Sequence, residues 1–153
     1  MNALFLLKSK ATVSVCYDDN TVRRGMETLR ASGYAAIPVI TRSGDYAGSV
    51  SEGDFLWFLL DHSDEKPENV RLSSILRSGW NPAVTVNVTM DDLMQRAANQ
   101  NFVPVVDDRN KFIGIITRTD IIEFFYGRDE AELNAADGPR PSPQTTTERR
   151  LLS

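Results

Sequence analysis

The chain has one cysteine and one histidine among its 153 residues. A single thiol excludes an internal disulfide framework, and the pair cannot assemble a Cys/His zinc site of ordinary spacing. A reducing, cytoplasmic setting fits best. Long apolar runs are missing too. The longest, Phe55 to Leu60 and Ala3 to Leu7, fall far short of the ~20 residues that cross a bilayer. Ala3-Leu4-Phe5-Leu6-Leu7 has neither a basic flank before it nor a small-residue cleavage site after it, so it reads as a segment packed onto the domain and not as a signal peptide. Nor is there a basic excess: 17 Lys and Arg face 21 Asp and Glu, with no cationic cluster to neutralise a phosphate backbone, which argues against DNA or RNA as a partner. A nucleophile elbow, a P-loop and a metal-binding helix motif are also absent, so an enzyme is the weakest reading. What remains is an ordinary composition, 41% hydrophobic and 25% charged with net charge -4. It suits one domain or two very small ones.

The informative signal is internal repetition. Slid by 66 residues, Gly33-Tyr-Ala-Ala-Ile-Pro-Val-Ile40 meets Asn99-Gln-Asn-Phe-Val-Pro-Val-Val106, and the match continues with Tyr46 on Phe112, Gly48 on Gly114, Ser51 on Thr117, Asp54 on Asp120 and Phe58 on Phe124. Upstream the offset widens to about 71, placing Val13-Ser-Val15 on Val84-Thr-Val86 and Val22 on Leu93, as if the second copy had lost about five residues. Each copy reads as strand, helix, strand, strand, helix. In the first, Thr12 to Cys16 alternates like a strand, and Val22, Met26 and Leu29 recur at helical spacing up to a C-cap at Gly33. Two short strands, Ala36 to Thr41 and Tyr46 to Val50, flank a turn at Arg42-Ser-Gly-Asp45, and helices follow at Glu52 to Asp61 and Arg118 to Tyr126. The expected organisation is a first repeat with its N-terminal segment over 1–61, a linker over 62–79 with a short helix at Leu72 to Leu76, and a second repeat over 80–127. A tail over 128–153, Pro-rich from Gly138 to Gln144, is expected to be disordered.

These segments resemble a tandem pair of CBS domains, the module named after cystathionine beta-synthase, as found in small stand-alone bacterial proteins. The likeness rests on Gly33-Tyr34, Ile37-Pro38-Val39, Val103-Pro104-Val105, the hairpin Gly48 and Gly114, and the closing Ser51-Glu-Gly-Asp54 and Thr117-Arg-Thr-Asp120. It implies an α+β fold, two pseudo-symmetric βαββα repeats packed through their sheets. It also implies two clefts for an adenosine-containing ligand, AMP, ADP, ATP or an S-adenosylmethionine-like molecule, in a non-catalytic, energy-sensing regulator. By the same resemblance one cleft combines Thr117, Asp120 and Ile115 with Ser9, Thr12, Ser14, Tyr34 and Ala35. The mirror cleft combines Ser51 and Asp54 with Asn81, Val84, Thr85, Gln100 and Asn101. A homodimer through the helices Glu52–Asp61 and Arg118–Tyr126 is implied as well, with room for a further protein partner. The alternative is a ligand-free dimerisation module whose clefts are degenerate.

The residue types suit that chemistry. A helix start directly after a strand presents unpaired N–H groups and a positive dipole end to a phosphate. Ser51 or Thr117 supplies a hydroxyl, and Asp54 or Asp120 a carboxylate for ribose hydroxyls. Ser-x-x-Asp and Thr-x-x-Asp are equally the pattern of a helix capping box that binds nothing. The clefts are expected to differ, because Arg118 lies between Thr117 and Asp120 and suits an anion, whereas Glu52 lies between Ser51 and Asp54, so the Thr117/Asp120 cleft is the favoured one and the other takes a less charged ligand or stays empty. Lys8 and Lys10 stand just before the first strand and could help to hold a polyphosphate, although solvated surface lysines are the commoner explanation. Phe55-Leu-Trp-Phe-Leu-Leu60 is apolar on every helix face, as are Ile121, Ile122, Phe124, Phe125 and Tyr126 nearby, which points to a subunit interface. Asp18-Asp19, Asp91-Asp92 and Asp107-Asp108 sit at helix starts or turns and read as solvated caps. His62 reads as a surface residue and Cys16 as a small buried hydrophobe.

Overall fold

The computed structural model describes residues 2–137. In chain order its regular elements are β1 (Lys8–Ser9), β2 (Cys16–Tyr17), α1 (Val22–Ser32), β3 (Ala36–Ile40), β4 (Tyr46–Ser51) and α2 (Glu52–Asp61). They continue with β5 (Val84–Thr85), α3 (Met90–Ala97), β6 (Phe102–Val106), β7 (Phe112–Thr117) and α4 (Arg118–Asp137), joined by short 3₁₀ turns. The strands form two sheets, ordered β2-β3-β4 and β1-β7-β6-β5. In each repeat a short leading strand runs parallel to the proline-bearing strand, Cys16 beside Val39 and Val84 beside Val105. That strand then pairs antiparallel with the next, aligning Ala36 with Ser51 and Phe102 with Thr117.

The proline strands are buried along their whole length, which is why they read as continuous Val/Ile/Phe runs and not as alternating ones. Their side chains supply three cores. One belongs to the first repeat, around Val22, Leu29, Ile37, Val39, Val50 and Phe55. A second belongs to the second repeat, around Leu93, Val103, Val105, Ile116 and Ile121. The third lies where the sheets meet, built from Ala36, Ile40, Phe102, Phe112 and Ile115 with Val13, Tyr17, Tyr34 and Trp80 against them.

The segments ahead of the repeats are exchanged. Ala3 is fully buried in the core of the second repeat, with Leu4, Leu6 and Leu7 packed beside it, although sequence groups them with the first. Leu72, from the linker, is fully buried in the core of the first. Glycine makes both crossings possible. A Cβ on Gly114 would lie 2.1 Å from the Lys8 carbonyl oxygen, and one on Gly25 would lie 2.7 Å from a Leu72 methyl.

Four expectations need correction. Thr12 lies in a 3₁₀ turn, Lys10–Thr12, and the strand begins only at Cys16. The Thr12 hydroxyl donates to the Ser9 carbonyl at 2.9 Å, and Ser9 Oγ accepts from Ala11 N–H, local bonds that favour a turn over a ladder. Second, the helix caps are Thr21 and Thr89, 68 positions apart. Val22 therefore corresponds to Met90 and not to Leu93, and the second repeat is shorter by two residues, not five. A slip of one helical turn preserves the apolar stripe, so periodicity alone could not detect it. Third, the linker forms 3₁₀ turns at Pro67–Asn69 and Leu72–Ser74, the second shorter than the helix expected over Leu72 to Leu76. Fourth, α4 runs on to Asp137, so the part of the tail up to that residue is helical backbone; the remainder lies outside the described residues. Its Asp-Glu-Ala-Glu-Leu run has high helix propensity, which a reading keyed to apolar periodicity discounts.

Candidate functional site

The two hairpins end at equivalent helix starts. Antiparallel pairing sets Ser51 beside Ala36 and Thr117 beside Phe102. The first helical N–H of each is consequently taken by a pre-proline carbonyl of its own repeat, Glu52 to Ala35 and Arg118 to Asn101, both at 2.8 Å. The third N–H goes to the capping hydroxyl, Asp54 to Ser51 Oγ and Asp120 to Thr117 Oγ1, both at 3.2 Å. Much of each helix end is thus already bonded before any anion arrives.

Around Asp120 the structure brings together several of the residues that the resemblance named. β1 lies on β7 with Lys8 opposite Ile115 and Ser9 opposite Gly114. Lys8 Nζ comes to 3.7 Å from Asp120 Oδ2, and the Asp120 side chain remains 28% exposed. Thr117 is buried, and Tyr34 packs on the cluster that contains Ile115. Two expected members make their contacts elsewhere, and a third, Thr12, lies in a turn packed against β7 but has its hydroxyl engaged. Ser14 lines a hollow beside α1 with Arg24, Glu27 and Thr28. Ala35 faces the other helix start through its carbonyl, because hairpin pairing ties it to its own repeat. The Thr12 hydroxyl is spent on its own turn. Arg118 is not directed at Asp120 either: its Nε donates to the Gln100 carbonyl at 3.3 Å.

The mirror site is arranged differently. Gln100 Nε2 donates to Asn81 Oδ1 at 3.0 Å and to the Pro82 carbonyl at 3.1 Å, while Asn81 Nδ2 donates to Ser49 Oγ at 3.1 Å. Tyr46, which the sequence reading missed, donates its hydroxyl to the Asn81 carbonyl at 2.7 Å, and burial pushes its pKa up to about 12. Asn81, Gln100 and Ser49 are all buried, so these amides are satisfied by one another. Val84 belongs to the core of the second repeat. Thr85 is exposed on a shallow hollow shared with Asp92, Gln95 and Arg96.

Arg77 is the other residue not foreseen. Its Nε stands 2.8 Å from Asp54 Oδ1, its Nη2 donates to Asp54 Oδ2 at 3.3 Å, and its guanidinium stacks 3.8 Å over the Trp80 ring. The opposite charges expected from Glu52 and Arg118 are therefore not what distinguishes the sites, because Arg77 brings a cation onto Asp54 and Gln100 holds Arg118 away. A signal was available. Leu7-Lys8 and Leu76-Arg77 stand at matching places ahead of the repeats, Leu7 against Gly114 and Leu76 against Gly48.

A family model for the CBS domain matches residues 9–61 and 75–127, well over half of the chain. The chain belongs to the CBS-domain family. Two copies make it a tandem CBS pair. A CBS domain-containing protein of Dictyostelium discoideum is 26% identical over 132 residues, spanning 76% of this chain and 84% of the relative. Among solved structures the CBS pair is similar to CbpB in complex with c-di-AMP, with TM-score 0.78 and 21% identity, over 88% of this chain and 91% of that one. It is also similar to the CBS-pair protein CBSX2 of Arabidopsis thaliana, with TM-score 0.70 and 19% identity, over 84% and 96%. Among the described residues no helix is long and apolar enough to cross a membrane, and no group of three or more His, Cys, Asp or Glu could hold a metal ion.

Proposed function

We propose that this CBS pair is a non-catalytic sensor that binds an adenosine-containing nucleotide at the helix start formed by Thr117 and Asp120. The observation that carries the reading is the meeting of Lys8 and Asp120 across the two repeats, with the Asp120 carboxylate still accessible. There a carboxylate can accept from ribose hydroxyls, the Lys8 ammonium can receive phosphate, and the apolar walls at Ile115 and Tyr34 can flank a base. The c-di-AMP bound by CbpB, a structure of the same fold, supports an adenine nucleotide as the ligand class. AMP, ADP, ATP, c-di-AMP and S-adenosylmethionine are the compounds to try.

Thermal melting of ligand-free protein against these five tests it. A ligand at 100 times its Kd adds about 2.7 kcal/mol, worth several degrees for a chain of this length. We expect a shift with at least one of them, abolished in Asp120→Ala. Five flat curves refute the reading.

One observation favours a second role beside it. Trp57 and Leu60 of α2 are 61% and 62% exposed, with Leu56, Leu59, Ile122 and Tyr126 exposed nearby on α2 and α4. An apolar face of that extent supports a homodimer through these helices.

A further inference from the structure

We infer that the helix start of the first repeat is a self-closed site, its carboxylate occupied by Arg77, so that each chain takes one nucleotide and takes it at Asp120. This rests on the nucleotide-binding reading above.

The two sites have the same parts in different states. At Asp120 the cross-repeat cation stands at 3.7 Å and the carboxylate is 28% exposed. At Asp54 the guanidinium comes to 2.8 Å and the carboxylate is only 9% exposed. Both Asp54 oxygens are spoken for. Oδ1 takes Arg77 Nε, and Oδ2 takes Ser51 N–H at 2.9 Å, Ser51 Oγ–H at 3.0 Å and Arg77 Nη2. A ribose diol needs two free acceptor positions on such a carboxylate, so it would have to break the pair. That loss leaves a nearly buried charge without its partner, which is costly.

Arg77 is itself held from behind by Trp80, so it does not swing away freely. The far wall is closed too. Asn81 and Gln100, which the family resemblance assigned to this cleft, spend their amides on one another, on Ser49 and on Pro82. The guanidinium thus stands where a ligand would meet Asp54, and the pair clasps the linker segment onto α2.

Isothermal titration with ATP, and separately with AMP, tests this on the full chain. We expect one binding event per chain, retained in Asp54→Asn and in Arg77→Met and lost in Asp120→Asn. Two events per chain overturn the inference. So does a single event lost in Asp54→Asn, or one weakened tenfold in Arg77→Met, which would make Arg77 a phosphate ligand. A double-mutant cycle of Asp54→Asn and Arg77→Met on the melting temperature reads the clasp without any ligand. Non-additive losses support it, and additive ones overturn it. Coupled losses together with no nucleotide binding in any variant would sink the sensor reading and leave the clasp standing.

Discussion

Gly114→Ala is the sharpest probe of the exchanged arms, because the fold carries its own control. In the second repeat a Cβ at this position would fall 2.1 Å from the Lys8 carbonyl oxygen and 2.9 Å from a Leu7 methyl. In the first repeat the nearest atoms to a Cβ on Gly48 all belong to the Leu76 side chain, whose closest methyl is 3.4 Å away and can move. The two glycines have nearly the same backbone, φ +156 and +152, so the conformational penalty of about 1–3 kcal/mol for a side chain there is common to both variants. The difference between them isolates the clash. A backbone oxygen cannot rotate aside, so β1 must move off β7, at a cost of about 1–3 kcal/mol typical of overpacking. Partial loss of Leu6 and Leu7 from the core adds to it. Gly114→Ala should therefore melt about 4–12 °C below Gly48→Ala, with both below wild type. Circular dichroism melts at matched concentration measure this. Equal melting temperatures for the two variants would refute the account of the crossing. Because β1 also carries Lys8 to Asp120, nucleotide-induced stabilisation should weaken in Gly114→Ala and persist in Gly48→Ala.

Further outcomes follow from the same geometry. Tyr46→Phe removes the donor to the Asn81 carbonyl and should cost about 1–3 kcal/mol in urea unfolding; a change below 0.5 would mean that water replaces the hydroxyl at no loss. Burial pushes the Cys16 thiol up to about 11 and the Tyr46 phenol up to about 12. Both pKa values are raised on folding, so their contribution is fully present below about pH 8.5, the unfolded thiol's value, and is lost as pH climbs toward 12. Urea midpoints at pH 8 and 10.5 should fall by an amount equivalent to about 1–3 kcal/mol, less in Cys16→Ala, and a flat profile would contradict the burial of these groups. Trp57→Glu combined with Leu60→Lys should convert a dimer to a monomer in light scattering without lowering helix content. A wild-type monomer at 100 µM would sink the interface.

The repeat, its proline strands, the hairpins and the α2 boundaries were legible along the chain because each rests on local physics. Continuous β-branched runs mark a strand buried on both faces, Gly33 and Gly44 take the positive φ that their turns need, and a hydroxyl three residues before a carboxylate caps a helix whatever surrounds it. The candidate site was legible in its motif residues and less so in its partners. Ser14, Ala35 and Arg118 belong to the right segments, but their contacts run within their own repeat: Ser14 lines a hollow beside α1, the Ala35 carbonyl accepts from Glu52 N–H, and Arg118 donates to the Gln100 carbonyl.

By itself the sequence determined that there are two copies of one βαββα unit, and that each copy ends a buried hairpin on a hydroxyl and an aspartate. Those are consequences of residue type and spacing, which survive any arrangement in space. Only the tertiary structure decided that the leading segments are exchanged, that Lys8 reaches Asp120 from the N-terminal segment and Arg77 reaches Asp54 from the linker, and that one carboxylate is clasped while the other stays accessible. Each of those contacts joins residues that are distant along the chain. The state of each carboxylate turns on an ångström of approach and the last fraction of burial, quantities that packing sets and that no local pattern encodes.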